Sequence, residues 1–514
     1  MFKKLTAALC AAIFAFLCVA PLAAQADDAA ALLAKHRAFV GWQYGDGSFK
    51  SLSTTVEVTD TKKKKTDYEA MIKRAGIIYR QDIFDVAAKT SSSNGFTGNI
   101  GWTSDENGFT VPVIGDPAKY DLASNLLFAE ATSELPGTLH GTATVDGTPC
   151  TIVRVVQAKA FPIDLYIDPA TGAYKRAVID PSGDDEATID ILAYKEAAPG
   201  KKIMGTYKYH GSRLTSSVTK IVANGPISNE QLQPPSQSAE WTFGDATPMA
   251  IAITSSRVRV DATINGVLGH FILDTGAAGL FFSQDFADRA HLKKLGSTTS
   301  SSIGGKEKDE SVIVDSLTIH GNTLHNVRAL AGGSALNQEG IDGLLGFPVW
   351  ASTITTIDFV NHTLLIQDPA KIDSAKLPGI HVVADLSTFQ PRVPMKINNS
   401  IDINALLDTG APNLTLISPD LRKYGFKMLI DDTVAGAFTS YRAIGGATGG
   451  YTIGECGHID SLNLGPIAYQ FANTCTVDDF SGRDALLGFD FLSGFHSLTL
   501  DYSHSGIIIV PNTK

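Results

Sequence analysis

After a short helix-like opening, "DDAAALLAKHRAFV", the apolar positions gather into brief runs rich in β-branched and aromatic residues. "TTVEV", "GIIYRQDIF", "FTVPVI", "CTIVRVV", "DLYIDP" and "YKRAVI" are such runs, with Gly, Asp, Asn and Pro between them at hairpin spacing. The pattern predicts strands and turns from residue 40 to 225, and an N-terminal antiparallel β domain over 27–224. The stretch "GPISNEQLQPPSQSAE" is polar, Pro-rich and without apolar period, and it reads as a linker within 225–247. Beyond it the runs lengthen, and two of them break at the same polar turn: "FILDTGAAGLFFS" at 271–283 and "ALLDTGAPNLTLIS" at 405–418. An aspartate between apolar segments is expensive to place. Two copies require a common cause.

That cause is an internal repeat. "IDGLLGFPVW" at 341–350 matches "RDALLGFDFL" at 483–492, and "TIDFVNHTLLI" at 356–366 matches "TLDYSHSGIII" at 499–509, in the same order. Two copies of one fold unit are expected, over 248–378 and 379–514. Within each, a short strand enters the Asp-Thr-Gly turn, where Gly276 and Gly410 allow backbone paths closed to larger residues. Ser283 and the Ser418-Pro419 pair then open short helices. Gly-rich hairpins follow in "SSSIGGKEKDESVIV" and "RAIGGATGGYTIG". Asp342, Asp484, Asp358 and Asp501 recur in both copies and read as turn and strand-end residues.

Related lobes packed about a pseudo-twofold axis place equivalent residues face to face. If Asp274 and Asp408 meet there, the two carboxylates cannot both ionise cheaply, and the pair holds one proton. Such a pair has an acid and a base at once: one carboxylate takes a proton from water while the other donates to a carbonyl oxygen. The expected chemistry is direct hydrolysis of an amide. Thr275 and Thr409 can hydrogen-bond across the axis and lock the two turns.

These motifs resemble the aspartic peptidases, and more narrowly the retropepsin-like branch, over roughly 250 to 510. The resemblance implies a bilobal pair of acid-protease-like β-barrels with Asp274 and Asp408 as catalytic dyad. It also implies flaps at Ile303, Gly304 and Gly305 in one lobe and Ile444, Gly445 and Gly446 in the other. Two departures stand out. The first flap carries no tyrosine where pepsins have one, and Ala277 and Ala411 follow the turns where pepsins use a hydroxyl residue. Without those donors the pair should titrate higher, which predicts an activity optimum less acidic than a pepsin's. The N-terminal stretches "GNIGWTSDENGFTVP", "DLYIDPATGAYKRAVI" and "KIMGTYKYHG" resemble LolA-like half-barrels. That likeness implies an apolar concave face that binds lipid or an extended peptide.

Composition narrows the setting. A chain of 514 residues with 44% hydrophobic and 18% charged residues suits two or three globular domains. The formal charge of −11 argues against a nucleic-acid partner, and the basic run at 62–65 reads as a solvated hairpin tip. "MFKK", an apolar stretch and "PLAAQADD" predict a signal peptide over 1–26, hence a periplasmic or secreted protein. No other window approaches the roughly 18 apolar residues that span a bilayer. Beyond the leader, Cys456 and Cys475 are candidates for a disulfide and Cys150 for a lone buried thiol. The 12 histidines form no metal-ligand cluster and no phosphate-binding loop is present, so neither metal nor cofactor is expected. The reading is an exported aspartic endopeptidase acting on peptide or protein. Its rival is a non-catalytic peptide- or lipid-binding envelope protein on the same fold.

Overall fold

The computed structural model describes residues 28–332, 340–412, 415–427, 441–480, 482 and 484–512; the expected signal peptide lies outside them. The protein is mostly β. Asp28 caps the first helix, Ala29–Val40, by accepting from the Ala31 N–H at 2.7 Å, and Gly41 ends it in the left-handed conformation. Residues 52–223 then form one 13-stranded antiparallel sheet, an N-terminal half-barrel. Its two meanders join where Leu52–Asp60 pairs with Leu214–Ala223. Leu32 and Leu33 pack with Val153, Leu165, Ile167 and Tyr174 in its core.

One element there departs from the all-strand expectation: Gly115–Phe128 is a helix. Its Gly-Asp-Pro opening looks like a turn, and only Ala123, Asn125, Leu126 and Leu127 are buried. The apolar period is therefore too thin to be read beforehand.

The two later units share one path. In the first, Val267–Leu273 runs parallel to Gly343–Leu345, with Leu280–Ser283 antiparallel on its other side. In the second, Ile401–Leu407 runs parallel to Asp484–Leu487, with Thr415–Ile417 antiparallel. Between the lobes, Ile354–Asp358 pairs antiparallel with Phe495–Asp501, the repeated "TID" and "TLD" segments. Thr356 and Thr499 face each other there, their hydroxyls 2.8 Å apart, on the pseudo-twofold axis. One continuous apolar core runs through both lobes.

The half-barrel is tied to that core. Phe109 and Val111 are buried in it, and Asn107 Oδ1 accepts from the Arg328 N–H at 2.7 Å. Glu240–Thr242, inside the stretch read as linker, adds to the first lobe's sheet beside Asn322–Gly332. The hairpin turn after Ile78–Asp85 reaches the first lobe too: Ala87 O accepts from Ser297 N–H at 2.9 Å.

Candidate active site

Each Asp-Thr-Gly turn leaves the C-terminal end of a central strand. The backbone holds both in the same way: Asp274 N–H donates to Leu345 O at 3.0 Å, and Asp408 N–H to Leu487 O at 2.9 Å. Past the turns, Phe347 N–H donates to Ala277 O and Phe489 N–H to Ala411 O, at 2.9 and 2.8 Å. The Leu-Leu-Gly segments thus support the turns from below.

The threonines cross the axis. Thr275 Oγ1 donates to Leu407 O at 2.6 Å and accepts from Thr409 N–H at 3.0 Å. Thr409 Oγ1 returns both bonds, to Leu273 O at 2.6 Å and from Thr275 N–H at 3.1 Å. Both side chains are buried. The glycines cross as well, each lying against the other turn's carboxyl. A Cβ on Gly276 would sit 2.3 Å from Asp408 Cγ, and one on Gly410 would sit 2.4 Å from Asp274 Cγ. Gly410→Ala is therefore expected to remove activity at least ~100-fold, because displacing a reacting group by about 1 Å costs on that order. A peptide-cleavage assay on the folded variant checks this.

Asp274 and Asp408 share a hydrogen bond. Their surroundings are unequal. Asp408 Oδ1 accepts from the N–H groups of Gly410 at 2.8 Å and Ala411 at 3.0 Å. Burial raises the Asp408 carboxyl above its usual range, and the bond from Asp274, these donors and Arg257 act against the rise. Asp274 is held well above its usual range, by burial first, then by the charge of Asp408 and their shared bond. The proton of the pair belongs on Asp274 and the charge on Asp408.

Two residues at the site were not anticipated. Arg257 Nε donates to Gly410 O at 3.0 Å, and Gln390 Nε2 donates to Gly276 O. They lie at equivalent places before the paired hairpins, 17 residues ahead of Asp274 and 18 ahead of Asp408. Aligning the two copies further upstream would have exposed both. One lobe supplies a charge and the other an amide, so the pair sits in an asymmetric field.

The predicted flap residues form two hairpin tips that meet. Ser302 and Gly305 close the first, with Ile303 and Gly304 in its turn; Gly445 pairs with Tyr451 in the second, and Gly446 follows. Ser302 Oγ lies 2.7 Å from Thr448 Oγ1 and accepts from Thr448 N–H at 3.0 Å. Gly304 N–H donates to Asp479 Oδ1 at 3.0 Å. Ile303 crosses to pack on the second lobe's cluster of Leu406, Ile444, Leu486 and Cys475. Gly304 has φ +75°, and a Cβ there would strike the Tyr451 backbone at 2.4 Å, so only glycine serves. Cys456 and Cys475 lie opposite one another on adjacent strands and are disulfide-bonded, anchoring the second flap's long strand. Cys150 is a free, buried thiol in the half-barrel.

The recurrent aspartates take structural partners. Asp342 Oδ2 accepts from His270 N–H at 2.9 Å, Asp484 pairs with Arg392 at 3.1 Å, and Asp358 caps Asn361 N–H at 2.7 Å. Asp501 is buried and accepts from Ser503 at 2.7 Å.

Residues 260–349 match the aspartyl protease family. The matched span holds the first Asp-Thr-Gly turn, the first flap and the Leu-Leu-Gly segment of one lobe. No curated protein matches the chain. Among solved structures, a retropepsin-like aspartic protease from Rickettsia conorii is similar at 20% identity and TM-score 0.20, over 25% of this chain and 94% of that one. A LolA superfamily protein from Nitrosomonas europaea is similar at 13% identity and TM-score 0.29, over 40% of this chain and 97% of that one. A DUF1329 family protein from Desulfovibrio piger is similar at 12% identity and TM-score 0.29, over 40% and 95%. The matched span supports an aspartic-peptidase fold for the first lobe. Among the described residues no helix is long and apolar enough to cross a membrane.

Proposed function

We propose that the protein is an exported aspartic endopeptidase, periplasmic or secreted, that hydrolyses an extended peptide with water activated between Asp274 and Asp408. The observation that carries this reading is the crossed pair of turns, in which two buried carboxyls share a hydrogen bond and each faces the other turn's glycine. Asp408 carries the charge and takes a proton from water. Asp274 carries the proton and, with substrate bound between the carboxyls, donates it to the carbonyl oxygen. The tetrahedral diol then collapses: Asp408 passes the proton it took from water to the amide nitrogen, which leaves, and Asp274 takes a proton back from a diol hydroxyl. Over the pair, the two flaps exclude water and hold the substrate backbone extended.

The active form holds one proton on the pair, so its loss from Asp274 sets the alkaline limb. Because that carboxyl is held well above the ordinary range, activity should persist into less acidic pH than a pepsin tolerates. Incubating the protein with a peptide library across pH, with and without a pepstatin-type inhibitor, tests both claims. An optimum near pH ~2, below the ordinary carboxylate range, contradicts the pH reading. The absence of inhibitable cleavage at every pH, with ligand binding retained, favours a non-catalytic binding protein.

A further inference from the structure

The half-barrel contains a cavity of about 280 Å³ on the inner side of its sheet, away from the paired aspartates. Arg74, on the strand Lys65–Ala75, lines it. The guanidinium donates to Asn125 Oδ1, reaches Gly76 O at 3.5 Å, and lies 4.9 Å from the Tyr79 ring centroid. Each of those partners is neutral, and among the described residues no carboxylate forms an ion pair with Arg74. Burial pulls the group down to about 10, which leaves it charged at neutral pH. That half-buried guanidinium has no ion-pair partner in the cavity wall, and a ligand carboxylate in its fork would supply one.

The rest of the wall narrows the ligand. Val56, Ile72, Phe128, Ile203, Met204 and Val218 supply an apolar surface. Gln81, Asn94, Ser124 and Ser216 interleave amides and hydroxyls with it. An acyl chain would leave those polar groups facing hydrocarbon, at a cost for each. A peptide backbone meets them with its own donors and acceptors. Asp121, on the helix Gly115–Phe128, also lines the cavity, and burial alone raises its carboxyl to about 6. It disfavours a second negative charge on the ligand, so a single terminal carboxylate fits and a polyanionic headgroup does not.

We propose that this cavity binds the C-terminal end of a peptide, with its free carboxylate on Arg74 and an apolar terminal side chain against Val56, Ile72 and Met204. The site is separate from the aspartate pair and requires no turnover there, so it stands or falls independently of the peptidase reading.

The test is calorimetric titration of the full chain carrying Asp274→Asn, so that no probe is hydrolysed. The probes are acetyl-Ala-Ala-Leu-Phe as free acid, the same peptide as its C-terminal amide, and dodecanoate. The acid is expected to bind at least ~10-fold more tightly than the amide, as one charge-assisted contact implies. Arg74→Gln should abolish that preference, and Arg74→Lys should keep part of it. Equal binding of acid and amide overturns the proposal, as does binding of neither. Tighter binding of dodecanoate than of the peptide acid also overturns it and makes the cavity a fatty-acyl site. The acid-to-amide ratio is read with Arg74 intact, so poor folding of an Arg74 variant does not blunt the test.

Discussion

Replacing Asp274 or Asp408 by Asn is expected to lower peptide cleavage by at least ~10⁴-fold, the upper range for loss of a general acid or base. The two substitutions should be equally severe, since proton sharing needs both members of the pair. Their effects on stability separate loss of chemistry from loss of fold. Asp274 titrates far higher in the folded chain than the ~3.9 of an unfolded aspartate. Between those two values the folded state binds more protons than the unfolded one, so stability falls as pH rises through that window. Asparagine does not titrate, so Asp274→Asn should melt no lower than the parent at neutral pH while being inactive. Thermal melts at acidic and neutral pH check the sign: the gap between variant and parent should widen upward in pH. An inactive variant that melts well below the parent would mean that the residue acts through folding, and retained cleavage would end the proposed mechanism.

How much of this was legible beforehand follows from where each constraint resides. The duplicated turns could be read because an aspartate inside an apolar run has few affordable structural explanations, and the copies carry the same downstream elements in the same order. Ser283 and Ser418 likewise announce their helices through a local bond, the side chain accepting from Phe286 N–H and Asp420 N–H respectively. What stayed hidden is long-range. The half-barrel closes through Leu52–Asp60 on Leu214–Ala223, a pairing no local pattern encodes. The insertion of Phe109 into the peptidase core, and the hold of Arg257 and Gln390 on the opposite turns, depend on how finished units dock. The stretch 225–247 reads as a linker because edge pairing by three residues leaves almost no periodic trace.

The asymmetry between Arg257 and Gln390 also shows what fusing two lobes permits. In an assembly of identical lobes, both turns would carry the same donor and the pair would sit in a symmetric field. Here the guanidinium is on Gly410 O and the amide on Gly276 O, and Asp408 alone receives two backbone N–H bonds. In the proposed mechanism this asymmetry assigns the acid and base roles before any substrate arrives.

Substituting Thr409 by Val should be the second most damaging change. The valine keeps the shape but leaves Leu273 O without its donor and Thr275 N–H without its acceptor, both in the buried interface between lobes. At about 1–3 kcal/mol for each of the two orphaned groups, the expected loss of stability is about 2–6 kcal/mol. Activity should fall further than stability alone requires, because the same bonds set the separation of the carboxyls, and a displacement of about 1 Å there costs roughly 100-fold. Thr409→Ser keeps the hydroxyl and should retain activity to within about tenfold, its deficit being the roughly 0.8 kcal/mol of a buried methyl group and the cavity it leaves. Measuring kcat/KM and denaturant midpoints for the serine and valine variants distinguishes the two roles of the bond. If valine matched the parent in activity, the crossed hydroxyls would be incidental, and the alignment of the two aspartates would have to come from the interlobe sheet instead.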